Sequence, residues 1–166
     1  VTIDIGINGA FLTRRWETPN NFMRLTRECG YKYHSFCADV LDPFFSGNKK
    51  YQIKTANEIK KASKKYGVAI IDYYTGVATH RFHGLSHSNV VVRERMKQWV
   101  IEAMDIASAL GSTRIGGHVD AFSVEILTNP KLKKSAYKNI YQEFRELSRI
   151  AKVKGISAIY GEQMYI

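Results

Sequence analysis

No stretch of this 166-residue sequence has the length and apolarity of a membrane span, since its apolar runs reach only a handful of residues. A spanning helix needs roughly 20 such residues. The opening stretch, VTIDIGINGAF, also lacks the basic and then apolar pattern of a signal peptide. We therefore expect a soluble, cytoplasmic protein without a membrane segment.

Cysteine is scarce, with Cys29 and Cys37 the only two. Cys29 falls near the end of a predicted helix and Cys37 in a predicted strand. Neither has a neighbour at the spacing of metal ligands. We expect two buried free thiols in a reducing compartment, because free cysteine most often behaves as a small apolar core residue.

Acidic residues are few: 15 Asp and Glu stand against 25 Lys and Arg, which gives a formal net charge of +10 and a pI near 9.6. Such a charge can indicate a nucleic-acid partner. Most of the lysines, however, lie on two predicted helices opposite apolar stripes, as on a solvated outer surface. These are Lys49, Lys50, Lys54, Lys60, Lys61, Lys64 and Lys65, and then Lys131, Lys133, Lys134 and Lys138. We do not expect nucleic acid to be the partner, whereas a phosphorylated substrate could use the same field.

Strand and helix patterns alternate along the chain, which at 45% hydrophobic residues can bury the core of one domain, residues 1–166. The predicted strands cover residues 2–9, 31–40, 68–74, 113–122 (with an exit loop) and 156–166. Apolar residues at helical spacing predict four helices, after Thr18-Pro19, over residues 50–66, before Gly111 and after Asn129-Pro130. The absence of a hairpin signal implies a parallel sheet of right-handed βαβ units.

Two architectures satisfy five strands and four helices. An open doubly wound sheet would be complete at this length, whereas an eight-stranded barrel needs about 250 residues. The phosphate signature GxGxxG is absent after strand one, so the dinucleotide-binding open sheet has no support. The long polar loop after strand three favours a barrel mouth. We predict a parallel (βα) barrel of the TIM type, with about strands one to five of eight, as the N-terminal portion of an incomplete barrel.

Histidines follow strands three and four. His118, in GGHVDAF, stands at a predicted strand end beside two glycines, where an imidazole could hold a substrate hydroxyl. A structural histidine is the alternative, and Asp120 beside it is as compatible with a turn as with catalysis. His80, His83 and His87 could in principle meet a zinc ion, but Gly84 and Ser86 interrupt them. We expect instead a loop that closes over the substrate or packs against a partner subunit.

Glu162 follows the short apolar run ISAIYG. Strand ends open onto the ligand side of a parallel sheet, so a lone carboxylate there is a candidate for chemistry. It could be a metal ligand, a general base or half of an acid-base pair. The plainer alternative for Glu162 is a salt-bridged surface glutamate. His34, inside strand two, is expected to be a buried structural histidine.

Four stretches together resemble the sugar phosphate isomerase/epimerase family, the xylose-isomerase-like TIM barrels. They are SFCADVLDPFF, YYTGVATHRFHGLSH, LGSTRIGGHVDAFS and GEQMYI. The resemblance implies a metal-dependent isomerase or epimerase that abstracts a proton next to the carbonyl of a sugar or sugar phosphate through an enediolate. It also implies that Glu162 is catalytic and binds a divalent metal (Mn, Mg or Co), whose other ligands lie outside this chain.

The same resemblance implies a substrate pocket and a homo-oligomer. The pocket residues would be His118, with Asn8 and Phe11 after strand one, Tyr74 and Thr75 after strand three, and His83 in the following loop. Two alternatives stay open: a non-catalytic sugar-binding or dimerising half barrel, and the abasic-site endonuclease branch of the same superfamily. Duplex DNA binding with steep salt dependence would favour that branch.

Overall fold

Five parallel strands alternate with helices in a computed structural model that describes residues 3–11, 18–76 and 82–165, with backbone alone at 119 and 162–165. The strands are β1 (Gly6–Asn8), β2 (Tyr33–Cys37), β3 (Ala69–Tyr74), β4 (Arg114–Phe122) and β5 (Ala158–Tyr165). The helices are α1 (Pro19–Glu28), α2 (Lys49–Tyr66), α3 (Val90–Leu110), α4 (Val124–Thr128) and α5 (Pro130–Val153), with a 3-10 turn at Gly9–Phe11.

The strand order decides between the two architectures. The strands pair in chain order, β1-β2-β3-β4-β5, and every pairing is parallel. In a doubly wound sheet the order in which strands are added reverses at a switch point. In a barrel each new strand is added on the same side of the preceding one. The order therefore confirms the predicted parallel (βα) barrel, of which these residues supply five strands.

Local signals set the helix ends. The side chains of Thr18, Asn48, Asn89 and Asn129 accept hydrogen bonds from backbone N–H groups in the first turns of α1, α2, α3 and α5. At the other end, Gly67 and Gly111 take left-handed conformations after α2 and α3. The observed bounds of α2 agree with the predicted 50–66 within one residue, and α3 ends before Gly111 as predicted.

The main core lies between the sheet and the helices. Phe36 of β2 stacks on Tyr73 of β3 with ring centroids 6.1 Å apart, and both side chains are fully buried. Tyr73 donates to the Leu41 carbonyl oxygen at 2.7 Å, and Trp99 of α3 donates through Nε1 to Asp42 Oδ2 at 3.1 Å. This layer also holds the loop after β2 in place.

Several details differ from the prediction. β1 is shorter than residues 2–9, because Ile3 and Ile5 are exposed and unpaired with β2. The short helix α4, capped by Ser123, was not predicted, since five residues are too few for helical periodicity. Cys37 is buried, but Cys29 is exposed at the end of α1, so the expectation of two buried thiols is wrong for Cys29. None of the helices in the described ranges has the length and apolarity that crossing a bilayer would need.

Candidate functional site

The carboxyl ends of β3, β4 and β5 meet at one edge of the sheet. Tyr74 is the register partner of Gly116, and Gly116 is that of Tyr160. Two residues further along, His118 of β4 pairs with Glu162 of β5. The backbone thus brings together three of the predicted positions, Tyr74, His118 and Glu162. The side chain of Glu162 lies outside the described part of the chain.

Thr75 fastens the end of β3 to β4. Its backbone N–H donates to the Gly116 carbonyl oxygen at 2.7 Å, and its Oγ1 donates to the His118 carbonyl oxygen at 3.3 Å. Gly117 has a φ of +121°, and a Cβ there would lie 2.2 Å from Thr75 Oγ1. Only glycine fits this close approach, so Gly117 serves the junction of β3 and β4.

His118 is half-buried beside Tyr74. The two rings meet edge to face, with centroids 6.0 Å apart and planes 81° apart. An aromatic edge fixes the orientation of the imidazole without using its charge. The pair therefore forms one wall of a candidate pocket at the strand ends.

Asn8 and Phe11 lie away from this wall. Asn8 donates to Ser35 Oγ at 3.2 Å and accepts from the Ala10 N–H at 2.8 Å, and Phe11 packs partly buried against the core. β1 and β4 are three strands apart, about 14 Å across a flat sheet at 4.8 Å per strand. The structure therefore separates the strand-one residues from His118, and only the curvature of a barrel reduces that distance.

Asp120 is an anchor for the loop after β3. Its side chain is fully buried and accepts from the N–H groups of Gly84 and Ala121, at 2.9 and 2.8 Å, and from that of Ser86. The β4–β5 pairing shifts register between His118 and Asp120, so the two residues do not continue one regular alternation. Asp120 thus has a structural role, but it anchors a distant loop as well as the adjacent Ala121 amide, and is not confined to the local turn considered from the sequence.

Helices hold the same loop from outside. Arg93 of α3 donates to the carbonyl oxygens of His87 and Ser88, at 2.7 and 3.0 Å. Asn139 of α5 donates to the carbonyl oxygens of Ser86 and His87, both at 3.2 Å. Residues 82–89 thus form a segment that is held by side chains of α3 and α5, and Leu85 and Ser86 within it are buried.

His83 sits in this segment, half-buried, with its ring centroid 4.8 Å from that of His87. Burial lowers the pKa of the His83 imidazole, and Asp120 opposes that shift. The lowered pKa favours the neutral form of the imidazole, which can both donate and accept a hydrogen bond. His80, the third histidine of the pattern, lies outside the described residues. Within the ranges the structure describes, no three His, Cys, Asp or Glu side chains gather as a metal site.

His34 is a structural residue of the helix-facing core. It is fully buried against Phe22, with ring centroids 4.9 Å apart, and its Nδ1 lies 3.0 Å from Thr26 Oγ1. Burial lowers the pKa of the imidazole to about 4. The structural reading of His34 is the one that its surroundings support.

One polar contact on the site face of the sheet was not predicted from the sequence. Tyr160 OH donates to Asp72 Oδ2, linking β5 to β3 across β4. The available signal was Asp72 itself, a carboxyl group inside the apolar run VAIIDYY, because a buried charge needs a partner. Its partner is 88 residues away in the sequence, which no local pattern indicates.

Comparisons with known proteins agree with this fold. The sequence matches the family model of the xylose isomerase-like TIM barrels over residues 23–161. A candidate xylose isomerase from Rhodospirillum rubrum aligns with a TM-score of 0.87 at 23% identity, covering 96% of this chain and 54% of its own. The 3-keto-D-glucoside 4-epimerase of E. coli aligns at 0.69 and 15% identity, covering 96% and 56%.

A D-psicose 3-epimerase from Clostridium cellulolyticum H10, solved with D-tagatose, gives a TM-score of 0.69 at 19% identity, with coverage of 95% and 51%. At these identities the structural likeness establishes the fold alone. The chain spans about half the length of each of these three structures. None of the curated proteins matches the sequence.

Proposed function

We propose that this chain, which belongs to the xylose isomerase-like TIM barrel family, contributes to the active site of a sugar or sugar phosphate isomerase or epimerase. The observation that carries the proposal is the register pairing of His118 with Glu162, which lies past the end of β3 on the carboxyl-terminal side of the sheet. In barrel enzymes, this end of the strands carries the chemistry. The sugar epimerases among the structural neighbours support the same substrate class.

Glu162 is the base of the proposed reaction. Its carboxylate takes the proton from the carbon beside the sugar carbonyl, and the electron pair left behind forms an enediolate with negative charge on the former carbonyl oxygen. A proton returned to the opposite face yields the epimer. The isomer forms when Glu162 returns the proton to the neighbouring carbon and the hydroxyl proton of the enediolate moves to the former carbonyl oxygen. The epimer requires a second proton donor on the face of the sugar opposite Glu162.

The remaining residues bind and orient. A His118 N–H directed at a substrate hydroxyl would hold the sugar against Glu162, while Tyr74 keeps the imidazole in place. Thr75, with its hydroxyl already bonded to the His118 carbonyl oxygen, shapes the backbone of the wall. Asn8, Phe11 and His83 are proposed as outer contacts. A cytoplasmic homo-oligomer also remains part of the proposal.

The resemblance further implies a divalent metal, Mn, Mg or Co, with Glu162 as one ligand. A hard cation of this kind takes about six ligands, mostly oxygen. Among the side chains that the structure describes, which do not include that of Glu162, no cluster of three or more ligand-type groups meets that need. The described residues do not fit the metal by themselves, and no step of the reaction is derived through it.

Deuterium incorporation tests the proposal. The purified protein is incubated in D2O with ketoses and aldoses, free and phosphorylated, and NMR follows deuterium at the carbon beside the carbonyl. We expect incorporation with at least one sugar, its loss in Glu162→Gln, and no change in Glu58→Gln, an exposed glutamate of α2. Chelator followed by Mn, Mg or Co tests the metal separately.

Two outcomes would contradict the assignment. Incorporation that persists in Glu162→Gln would remove the base from the proposal. Sugar binding without incorporation in any member of the panel would favour the non-catalytic sugar-binding module.

A further inference from the structure

Asp72 and Tyr160 connect three strands beneath the candidate site. Asp72 of β3 is buried, with 8% of its surface exposed, and its Oδ2 accepts from Tyr160 OH of β5. β4 runs between them, so the phenol reaches across a whole strand. This hydrogen bond therefore links β5 directly to β3. The backbone hydrogen bonds of the sheet connect these two strands only through β4.

Gly116 makes this reach possible. A Cβ at position 116 would lie 2.5 Å from the ring of Tyr160, which is closer than side chains pack. Gly116 is the register partner of both Tyr74 and Tyr160. The tyrosine ring thus lies directly over the backbone of β4, at the level where β3, β4 and β5 are paired.

The tyrosine remains a donor at ordinary pH. Burial raises the pKa of the Tyr160 phenol well above its usual value, and the hydrogen bond to Asp72 raises it further. Asp72 Oδ1 is buried and has no hydrogen-bond partner within the described part of the chain. Tyr160 therefore supplies the side-chain hydrogen bond that compensates the burial of the Asp72 carboxyl group.

The candidate site begins two residues further along β4 and β5, towards their carboxyl ends. His118 follows Gly116 by two positions, Glu162 follows Tyr160 by two, and His118 and Glu162 are paired in register. The next step breaks the regular pairing, with a register shift between His118 and Asp120. Register needs fixing at such a place, because a slip of one residue turns every side chain to the other face.

We propose that Asp72 and Tyr160 are positioning residues that hold Glu162 opposite His118. They act through the strand backbones and do not touch the substrate. This inference rests on the proposed function for its consequence in turnover, although the positioning itself is a property of the sheet. A purely structural pair would lower stability without changing the geometry between residues 118 and 162.

The test uses three variants and a control. Tyr160→Phe keeps the ring over Gly116 and removes the donor, Asp72→Leu removes the acceptor, and Asp72→Asn retains an acceptor oxygen. Tyr141→Phe alters an exposed tyrosine of α5 and serves as the control. Amide hydrogen exchange of residues 116–118 and 160–162 reports the positioning, and deuterium incorporation into sugar reports turnover.

We expect Tyr160→Phe and Asp72→Leu to speed exchange at these amides and to lower kcat by about 10- to 100-fold with KM little changed. Asp72→Asn should recover most of both readouts, and Tyr141→Phe should match the wild type. Unchanged exchange at residues 116–118 and 160–162 would overturn the inference. So would a general rise in exchange across the whole sheet, which indicates lost stability alone.

The two proposals fail separately. A wild-type protein that incorporates no deuterium into any sugar contradicts the proposed function, yet the exchange measurements still decide whether the pair positions β5. Turnover that is normal in Tyr160→Phe contradicts the positioning role even where the wild type is active.

Discussion

The two faces of the sheet differ in polarity and exposure. On the face towards the helices, Phe36, Tyr73 and Ile115 are at most 2% exposed and pack into one core. On the opposite face, Tyr74 and His118 are half-buried and Tyr160 is 39% exposed, with polar contacts between strands. One face therefore supplies most of the apolar core, whereas the other carries half-buried aromatic and polar groups of the candidate site.

The largest effect should come from the helix-facing side. Trp99→Ala should lower the free energy of unfolding by about 3–5 kcal/mol, since a fully buried indole leaves a cavity. It also removes the donor to Asp42 Oδ2, which otherwise caps the loop after β2. Urea unfolding followed by circular dichroism measures the loss. Trp99→Phe is the matched control and should cost less, so equal losses would place the effect in the hydrogen bond.

His34 makes the same side sensitive to acid. Its folded pKa of about 4 lies below the usual 6.5, so the unfolded state binds the proton first as the pH falls. The associated stability is complete above about pH 6.5 and is lost between there and about pH 4. A shift of this size corresponds to about 3 kcal/mol. Unfolding at several pH values in wild type and His34→Gln measures it, and identical pH profiles would contradict the assignment.

Asp120 anchors the loop after β3 to β4. Asp120→Ala should cost about 2 kcal/mol, because the N–H groups of Gly84 and Ser86 lose a buried acceptor. Hydrogen exchange at those two amides should rise, whereas Asp120→Asn, which retains one acceptor oxygen, should show a smaller rise. Protection that is unchanged in Asp120→Ala would mean that Arg93 and Asn139 hold the loop alone.

The smallest stability effect should come from the site face. His118→Ala should change the free energy of unfolding by less than about 1 kcal/mol, as expected for a half-buried side chain outside the main core. Deuterium incorporation into sugar should nevertheless fall by about 10-fold or more. A stability loss as large as that of Trp99→Ala would remove the contrast between the two faces.

Local patterns were enough for most of the helices. Asn48 and Gly67 bound α2, and Asn89 and Gly111 bound α3, because capping and left-handed glycine depend on a few adjacent residues. β1 was overpredicted for the same reason. A β-branched alternation indicates a strand wherever it occurs, but pairing with β2 begins only at Gly6.

The candidate site was only partly predictable. Tyr74, Thr75 and His118 were expected near each other, and the register of β3 and β4 places them so. Asp120 could not be assigned, since a carboxylate after a strand is compatible with catalysis and with a turn. The structure shows that Asp120 binds the backbone amides of Gly84 and Ser86, which lie some 35 residues earlier in the chain.

The sequence by itself determined the alternation of strands and helices, their parallel arrangement and the family resemblance, because these depend on short-range periodicity, capping and recognisable segments. Only the tertiary structure decided which groups the buried carboxylates bind. Asp72 meets Tyr160, and Asp120 meets Gly84, through strand register and loop packing. Such contacts join residues far apart in the chain, so no local pattern specifies them.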